Sequence, residues 1–252
     1  MKDLLCLETL IASCRFLPEE RVFFFEECAS TNAAAKEWVK AGHTGKALFA
    51  AAAQSAGRGR MGRTFYSPTG GVYFTAVQTL DGAPDPVGIT CAAAVMTMRA
   101  IRDLCGLQCE IKWVNDLLYQ GKKVCGILTE MVTCGEKSTV LVGIGVNLRP
   151  AVFPPDLAEI AGSLGDETTP RADLIAQIAE RMFAYLEHPA PEQWLEEYRR
   201  HSCVLGKNIA FLREGAWTPA TALAIAEDGG LLVRHDGKTE VLRTGEITLR
   251  MD

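Results

Sequence analysis

Between Glu110 and Asn147 the chain passes through four strand-like runs with only turns between them: Glu110 to Val114, Leu117 to Tyr119, Val124 to Met131 and Thr139 to Asn147. Runs of this length and composition pair with their neighbours, so the middle of the chain is a β-sheet. Gly121-Lys122 marks a hairpin between the second and third runs, and Cys134-Gly135 leads into the fourth. Upstream, Phe23-Phe24-Phe25, Ala47 to Ala53 and Val72 to Thr79 read as further strands. Helical stretches interleave with them. Ala33 to Lys40 has helix-forming composition, Ser30 or Thr31 as its N-cap and Gly42 as its end. From Pro86 to Leu104 apolar residues recur at helical spacing (Val87, Cys91, Ala94, Val95, Met98, Ile101, Leu104), and Gly106 is a natural stop. Asp173 to Leu186 and Gln193 to Arg200 read as amphipathic helices. The expected class is α+β, a central mixed β-sheet with helices.

After Gly206 the texture changes. Five short strand-like pieces are separated by turn signals at Arg213-Glu214-Gly215, Asp228-Gly229-Gly230, His235-Asp236-Gly237 and Gly245. A tract of about 45 residues patterned in this way predicts a small all-β barrel. The expected division is residues 1–204 and 205–252.

Bulk properties narrow the function. A formal net charge of −5 argues against a general nucleic-acid binder, which usually shows a basic face. The chain has 9 cysteines, with no C-x-x-C pair, which favours reduced, mostly buried thiols over a zinc site. No apolar run approaches the roughly 18 residues that a membrane span needs, and Asp3 and Glu8 interrupt the N-terminal apolar stretch. The expected setting is cytoplasmic, with no membrane partner.

The chemistry concentrates in four places. Gly57-Arg58-Gly59-Arg60-Met61-Gly62-Arg63 interleaves arginines with glycines. Glycine lets a backbone approach a ligand closely, and arginine brings a permanent charge on a planar fork of donors suited to carboxylate and phosphate. The three glycines also satisfy G-x-G-x-x-G, but that fingerprint needs a helix after it. Pro68 and Gly70-Gly71 follow instead, which disfavours a dinucleotide-binding dehydrogenase. Lys112-Trp113-Val114-Asn115-Asp116 closes a strand with a cation, an aromatic ring, an amide and a carboxylate; Trp113 reads equally well as plain core. Lys123 to Glu130 opens the next strand with a lysine, and Gly143-Ile144-Gly145-Val146-Asn147 is a strand with two glycines. Glycine weakens a strand unless something must approach its backbone, and Asn147 offers both a donor and an acceptor.

Taken together, and in this order, these segments resemble the biotin protein ligases. That family carries a GRGRxGRxWxSP loop, then KWPND, KxxGIL-x-E and GIG-x-N, which here correspond to Gly57 to Pro68, Lys112 to Asp116, Lys123 to Glu130 and Gly143 to Asn147. Ser30-Thr31-Asn32 and Gln54 also match. Val114 stands where the family has proline and Phe65 where it has tryptophan, and Cys28-Ala29 ahead of Ser30 is atypical.

The resemblance implies a class II synthetase-like catalytic domain followed by an SH3-like domain. It implies ATP and biotin as substrates with Mg²⁺, and a biotin carboxyl carrier domain as protein partner; a homodimer through the central sheet is within the family's range. Ser30, Thr31, Asn32 and Gln54 would bind the ureido head of biotin, with Arg58, Gly59, Arg60, Lys123, Gly126 and Leu128 along the rest of the molecule. Arg60, Arg63, Phe65, Lys112, Asn115, Asn147 and Arg250 would bind the nucleotide. Lys123, Arg58, Arg60 and Asp116 are the expected catalytic set; Asp116 would hold Mg²⁺, orient the incoming lysine or pin Lys112 or an arginine. Some members carry a DNA-reading N-terminal domain, but about 21 residues before the first strand are too few for a helix-turn-helix unit. Lipoate ligases and octanoyltransferases of the same fold, and a non-catalytic biotin sensor, are the remaining alternatives.

Overall fold

The structure, a computed structural model, describes residues 4–82, 84–134, 137–243 and 247–249. A seven-stranded sheet forms its centre. Its strands are β1 (Val22–Cys28), β2 (Lys46–Gln54), β3 (Val72–Asp81), β4 (Glu110–Lys112), β5 (Asp116–Tyr119), β6 (Lys122–Cys134) and β7 (Lys137–Val146), in the spatial order β1-β2-β3-β7-β6-β5-β4. Only β1 and β2 are parallel; every other neighbouring pair is antiparallel, so the sheet is mixed as expected.

The two faces of this sheet follow from the period of two along each strand. Leu48 and Ala50, Phe74 and Ala76, Ile127, and Val140, Val142, Ile144 and Val146 face the main core. That side is covered by α3 (Pro86–Cys105) and α4 (Arg171–Glu187), with α1 (Leu7–Ser13) and α5 (Leu195–His201) alongside. The intervening residues, Ala47 and Phe49, Val77 and Leu141, face α2 (Thr31–Lys40) in a much smaller cluster. By the same alternation Thr75, Gly126, Leu128, Glu130, Gly143 and Gly145 lie on the α2 face. One ten-residue helix cannot cover seven strands, and the site occupies the part left open.

Local signals explain the boundaries. Asp85 caps α3 by accepting the Val87 and Gly88 amides at 3.0 and 3.2 Å, and Gly106, at φ +69°, ends it. Gln120 and Gly121 both have positive φ and make the tight β5–β6 turn. Three expectations change. Ser30 occupies the N-cap of α2 but its side chain caps nothing; the Thr31 amide is accepted instead by the Gln54 side chain at 2.8 Å, from the next strand. The strand expected over Glu110 to Val114 stops at Lys112, because Lys112 pairs with Asp116 and the chain must reverse between them. The segment expected as a helix from Gln193 begins with a short 3₁₀ turn, and α5 follows from Leu195. The α1 helix was not anticipated; it buries Leu10 and ties to α4 through Ser13 Oγ and Asp173 Oδ1, 2.7 Å apart.

A second sheet of five antiparallel strands is formed by β8 (Asn208–Arg213), β9 (Ala216–Ile225), β10 (Leu231–His235), β11 (Lys238–Leu242) and β12 (Ile247–Leu249), ordered β11-β10-β9-β8-β12. Its apolar residues, among them Ile209, Phe211, Ala222 and Val233, join the main core. The β9–β10 turn reaches the central sheet: Trp113 Nε1 donates to the Gly229 carbonyl at 2.9 Å. Arg199 on α5 donates to the Ile225 carbonyl at 2.9 Å.

Candidate active site

The open part of the α2 face holds a cavity of about 440 Å³. Its wall includes Ser30, Thr31, Asn32, Gln54, Arg58, Gly59, Arg60, Arg63, Phe65, Lys112, Asn115, Asp116, Lys123, Gly126, Leu128 and Asn147. The candidate Arg250 lies outside the described residues.

At the α2 end the polar groups are buried or half-buried and committed to one another. The Thr31 amide and hydroxyl both donate to Gln54 Oε1, at 2.8 and 3.3 Å, and Gln54 Nε2 donates to Ser67 Oγ at 3.0 Å. Asn32, 4% exposed, donates from Nδ2 to the Leu128 carbonyl at 3.3 Å and to Glu130 Oε2 at 3.1 Å. The Thr75 hydroxyl donates to Asn32 Oδ1 at 2.6 Å and lies 2.9 Å from the Thr31 hydroxyl. Burial alone would raise the Glu130 carboxyl. Hydrogen bonds from Lys36 and Asn32, with the Lys36 and Arg58 charges, outweigh it and hold that group below its ordinary value.

The glycines of the two strand motifs are explained by what lies over them. A Cβ at Gly143 would stand 2.1 Å from Asn32 Oδ1, and one at Gly145 would stand 2.5 Å from the Phe65 ring. At Gly126 the distance to the same ring would be 3.0 Å. The Phe65 ring therefore lies flat across two glycines, where its position relative to the sheet is set by the absence of side chains.

The other end is charged. Lys123 Nζ forms an ion pair with Asp116 Oδ1 at 2.7 Å and stands 5.9 Å from the centre of the Phe65 ring. Arg60, half-buried, approaches Asn115 Oδ1 at 3.4 Å, and Asn115 Nδ2 donates to the Ile127 carbonyl at 3.0 Å. Arg58 and Arg63 are exposed on the loop, and Met61 and Gly62 take positive φ at its tip. Asn147 is 6% exposed and donates to the Gly162 carbonyl at 2.9 Å. Trp113 borders the cavity but is 4% exposed and anchored to Gly229, so its part is mainly structural.

One wall was missed at the sequence level. Phe153, Leu157, Glu159, Ile160 and Ala161 border the cavity. Their segment lies along the start of β6, where the Lys123 amide donates to the Ile160 carbonyl at 2.8 Å and the Gly162 amide to the Lys123 carbonyl at 2.9 Å. Phe153 meets Tyr66 of the arginine loop edge to face, ring centres 6.1 Å apart. The apolar residues between Pro150 and Gly162 were the available signal, but they follow no period.

The arrangement can seat an elongated ligand, with a hydrogen-bonding head at the α2 end and negative charge at the lysine and arginine end. Comparison with known proteins identifies the family. Residues 24–147 match the model of the biotin/lipoate A/B protein ligase family. The chain is 31% identical, over 91% of its length and 74% of the relative's, to the bifunctional ligase/repressor BirA of Bacillus subtilis. It is 32% identical to the biotin–[acetyl-CoA-carboxylase] ligase of Paracoccus denitrificans, over 86% of this chain and 96% of the other. Among solved structures, the biotin protein ligase of Aquifex aeolicus in complex with biotin and ATP superposes with a TM-score of 0.76 at 24% identity, covering 92% of this chain and all 100% of that one, which shows the fold. The Leishmania major biotin protein ligase in complex with biotinyl-5-AMP gives a TM-score of 0.62 at 26% identity, covering 90% of this chain and 99% of that one.

Proposed function

Since the chain belongs to the biotin/lipoate A/B protein ligase family, we propose that it is a biotin protein ligase, activating biotin with ATP and transferring it to a lysine of a biotin carboxyl carrier domain. In the first step a carboxylate oxygen of biotin bonds to the α-phosphorus of ATP as the bond to the bridging oxygen of pyrophosphate breaks. In the second, the acceptor amine bonds to the acyl carbon, AMP leaves, and the amine's extra proton passes to solvent or to a nearby base.

The observation that carries this reading is the single cavity joining a hydrogen-bonded head end to Lys123 and the arginine loop. Bringing a carboxylate to a phosphate costs about 4 kcal/mol for unit charges about 4 Å apart at an effective dielectric near 20. Lys123 offsets that repulsion in this reading, and Arg58, Arg60 and Arg63 close on the negative product. Asp116 is paired with Lys123, in place of the expected Lys112 or an arginine, and it orients Lys123. Magnesium would be supplied with the polyphosphate as its counter-ion; with Asp116 paired to Lys123, Glu159 is the other carboxylate that borders the cavity among the described residues. Ser30, Thr31, Asn32 and Gln54 take the ureido head, and Phe65, Lys112, Asn115 and Asn147 the nucleotide.

We divide the chain into a catalytic unit, residues 1–204, and an SH3-like unit, residues 205–252; the separate sheet beginning at Asn208 supports that division. No described helix is long and apolar enough to cross a membrane. The cytoplasm is the proposed compartment, because the reaction consumes ATP.

The test is incubation with biotin, MgATP and a carrier domain, reading mass gain on the carrier and pyrophosphate in solution. Gain with biotin and not with lipoate is the expected outcome. Gain with lipoate alone would move the chain to the lipoate branch, and binding of biotin without pyrophosphate would make it a sensor.

A further inference from the structure

Behind the head end lies an ion pair that does not border the cavity. Lys36 and Asn32 are four residues apart on α2 and so share a face. Lys36 Nζ is 2.7 Å from Glu130 Oε1, while Glu130 Oε2 takes one proton of the Asn32 amide and the Leu128 carbonyl takes the other. An amide with both protons held by acceptors cannot turn over without setting its oxygen against a carboxylate and a carbonyl. Asn32 Oδ1 is therefore held on the opposite side, where it accepts from Thr75, which is fully buried. Thr75 in turn touches Thr31, and Thr31 is bonded to Gln54. The backbone leaves room for this chain only because Gly143 has no side chain.

We propose that Glu130, clamped by Lys36, is a positioning residue that fixes the orientation of the Asn32 amide and, through Thr75, the donor and acceptor order of the head-group end, so that the site selects a cyclic urea over an analogue with a donor in place of the urea oxygen. The proposal rests on the ligase reading given above. Glu130 does not border the cavity; it acts through Asn32. Glutamate serves here where glutamine would not, because only a carboxylate is an acceptor on both oxygens. With a glutamine at this position the side chain can donate as well as accept, so both orientations of Asn32 become populated.

The experiment compares the full chain with Glu130→Gln, Lys36→Met and the double variant. Biotin-dependent pyrophosphate exchange is measured with biotin and with 2-iminobiotin, whose ring carries an imine nitrogen in place of the urea oxygen. In E130Q the KM for biotin should rise about tenfold, the scale of one misplaced buried hydrogen bond, with kcat within about twofold and the KM for ATP unchanged. The preference for biotin over 2-iminobiotin should narrow by about the same factor. K36M should shift both quantities in the same direction by less. The double variant should be no worse than E130Q, because the two act in series. A merely structural role would lower the melting temperature without narrowing the preference, and that result overturns the proposal. So does an E130Q effect confined to kcat or to ATP. Should E130Q not fold, K36M alone decides: an unaltered preference there overturns the idea. A wild-type chain that releases no pyrophosphate with biotin overturns the ligase reading instead, and the shift in melting temperature with each ligand then reads the same comparison.

Discussion

At the α2 end of the cavity, Thr31, Asn32 and Gln54 are bonded to one another or to Thr75, Ser67, Leu128 and Glu130. At the other end, Arg58 and Arg63 stand exposed on a loop whose tip has positive φ at Met61 and Gly62. The first end is preorganised on strands and a helix, and its polar groups keep their places before a ligand arrives. The second holds two cations on strands, Lys112 and Lys123, and carries its arginines on a segment that ligand must gather. Recognition of a neutral head needs exact donor and acceptor order, which suits rigid elements. Charge that develops during reaction needs cations that close after the substrate is in, which suits a loop.

The largest effect should come from the strand-borne cation that is paired with Asp116. Lys123→Ala should lower biotin-dependent pyrophosphate release by about 10²- to 10³-fold, the usual scale for removing one preorganised charge at the reacting group. Biotin binding should persist within a few fold, since the head end is untouched; calorimetry with biotin alone checks this. Near-normal release would show that the arginine loop suffices without it, and the contrast between the two ends would fail.

The next comparison sets one glycine from each end side by side. Gly143→Ala places a Cβ 2.1 Å from Asn32 Oδ1, so the amide must move and biotin affinity should fall about tenfold or more. Gly62→Ala meets nothing within 4 Å and is strained only by its φ of +75°, so it should cost about 1–2 kcal/mol of stability and leave biotin affinity unchanged. Equal losses of affinity in the two variants would mean that the head end is as adaptable as the loop.

This difference also decides what was readable in the sequence. The strand motifs were legible because alternation puts Gly126, Leu128, Gly143 and Gly145 on one face, and glycine in a strand asks for a neighbour close to the backbone. The arginine loop was legible from Gly and Pro alone. The commitment of both Asn32 protons was not, because one acceptor, Glu130, lies 98 residues along the chain and arrives only through the sheet register. The wall from Phe153 to Ala161 was hidden for a different reason: it is neither helix nor strand, and its place is set by backbone bonds to Lys123. Val114 extended an apparent strand past Lys112, whereas the 112–116 pairing makes those residues a turn.

If the loop gathers around ligand, limited proteolysis should report it. Cleavage within residues 57–68 should slow severalfold when biotin and MgATP are added together, because closure removes the segment from the protease. Biotin alone should protect less, since it brings only one negative charge to the arginines. Equal cleavage under all three conditions would leave the charged end as fixed as the other, and the division between them would be lost.

The smallest expected effect concerns what holds the charged end from behind. Trp113 leads into the turn that carries Asn115 and Asp116, and its indole nitrogen is bonded to Gly229 of the β9–β10 turn at 2.9 Å. Trp113→Phe keeps most of the apolar contact and removes the donor, leaving a carbonyl without that partner. The loss should be about 1 kcal/mol, or about 2–4 °C in melting temperature for a chain of this size. Because Asn115 and Asp116 contact Arg60 and Lys123 and are not hydrogen-bonded to Thr31 or Gln54, the KM for ATP should rise by about twofold while biotin affinity holds. Were biotin affinity to fall as much as ATP affinity, the second sheet would have to support the whole cavity, and the two ends would share one scaffold where the geometry now gives them two.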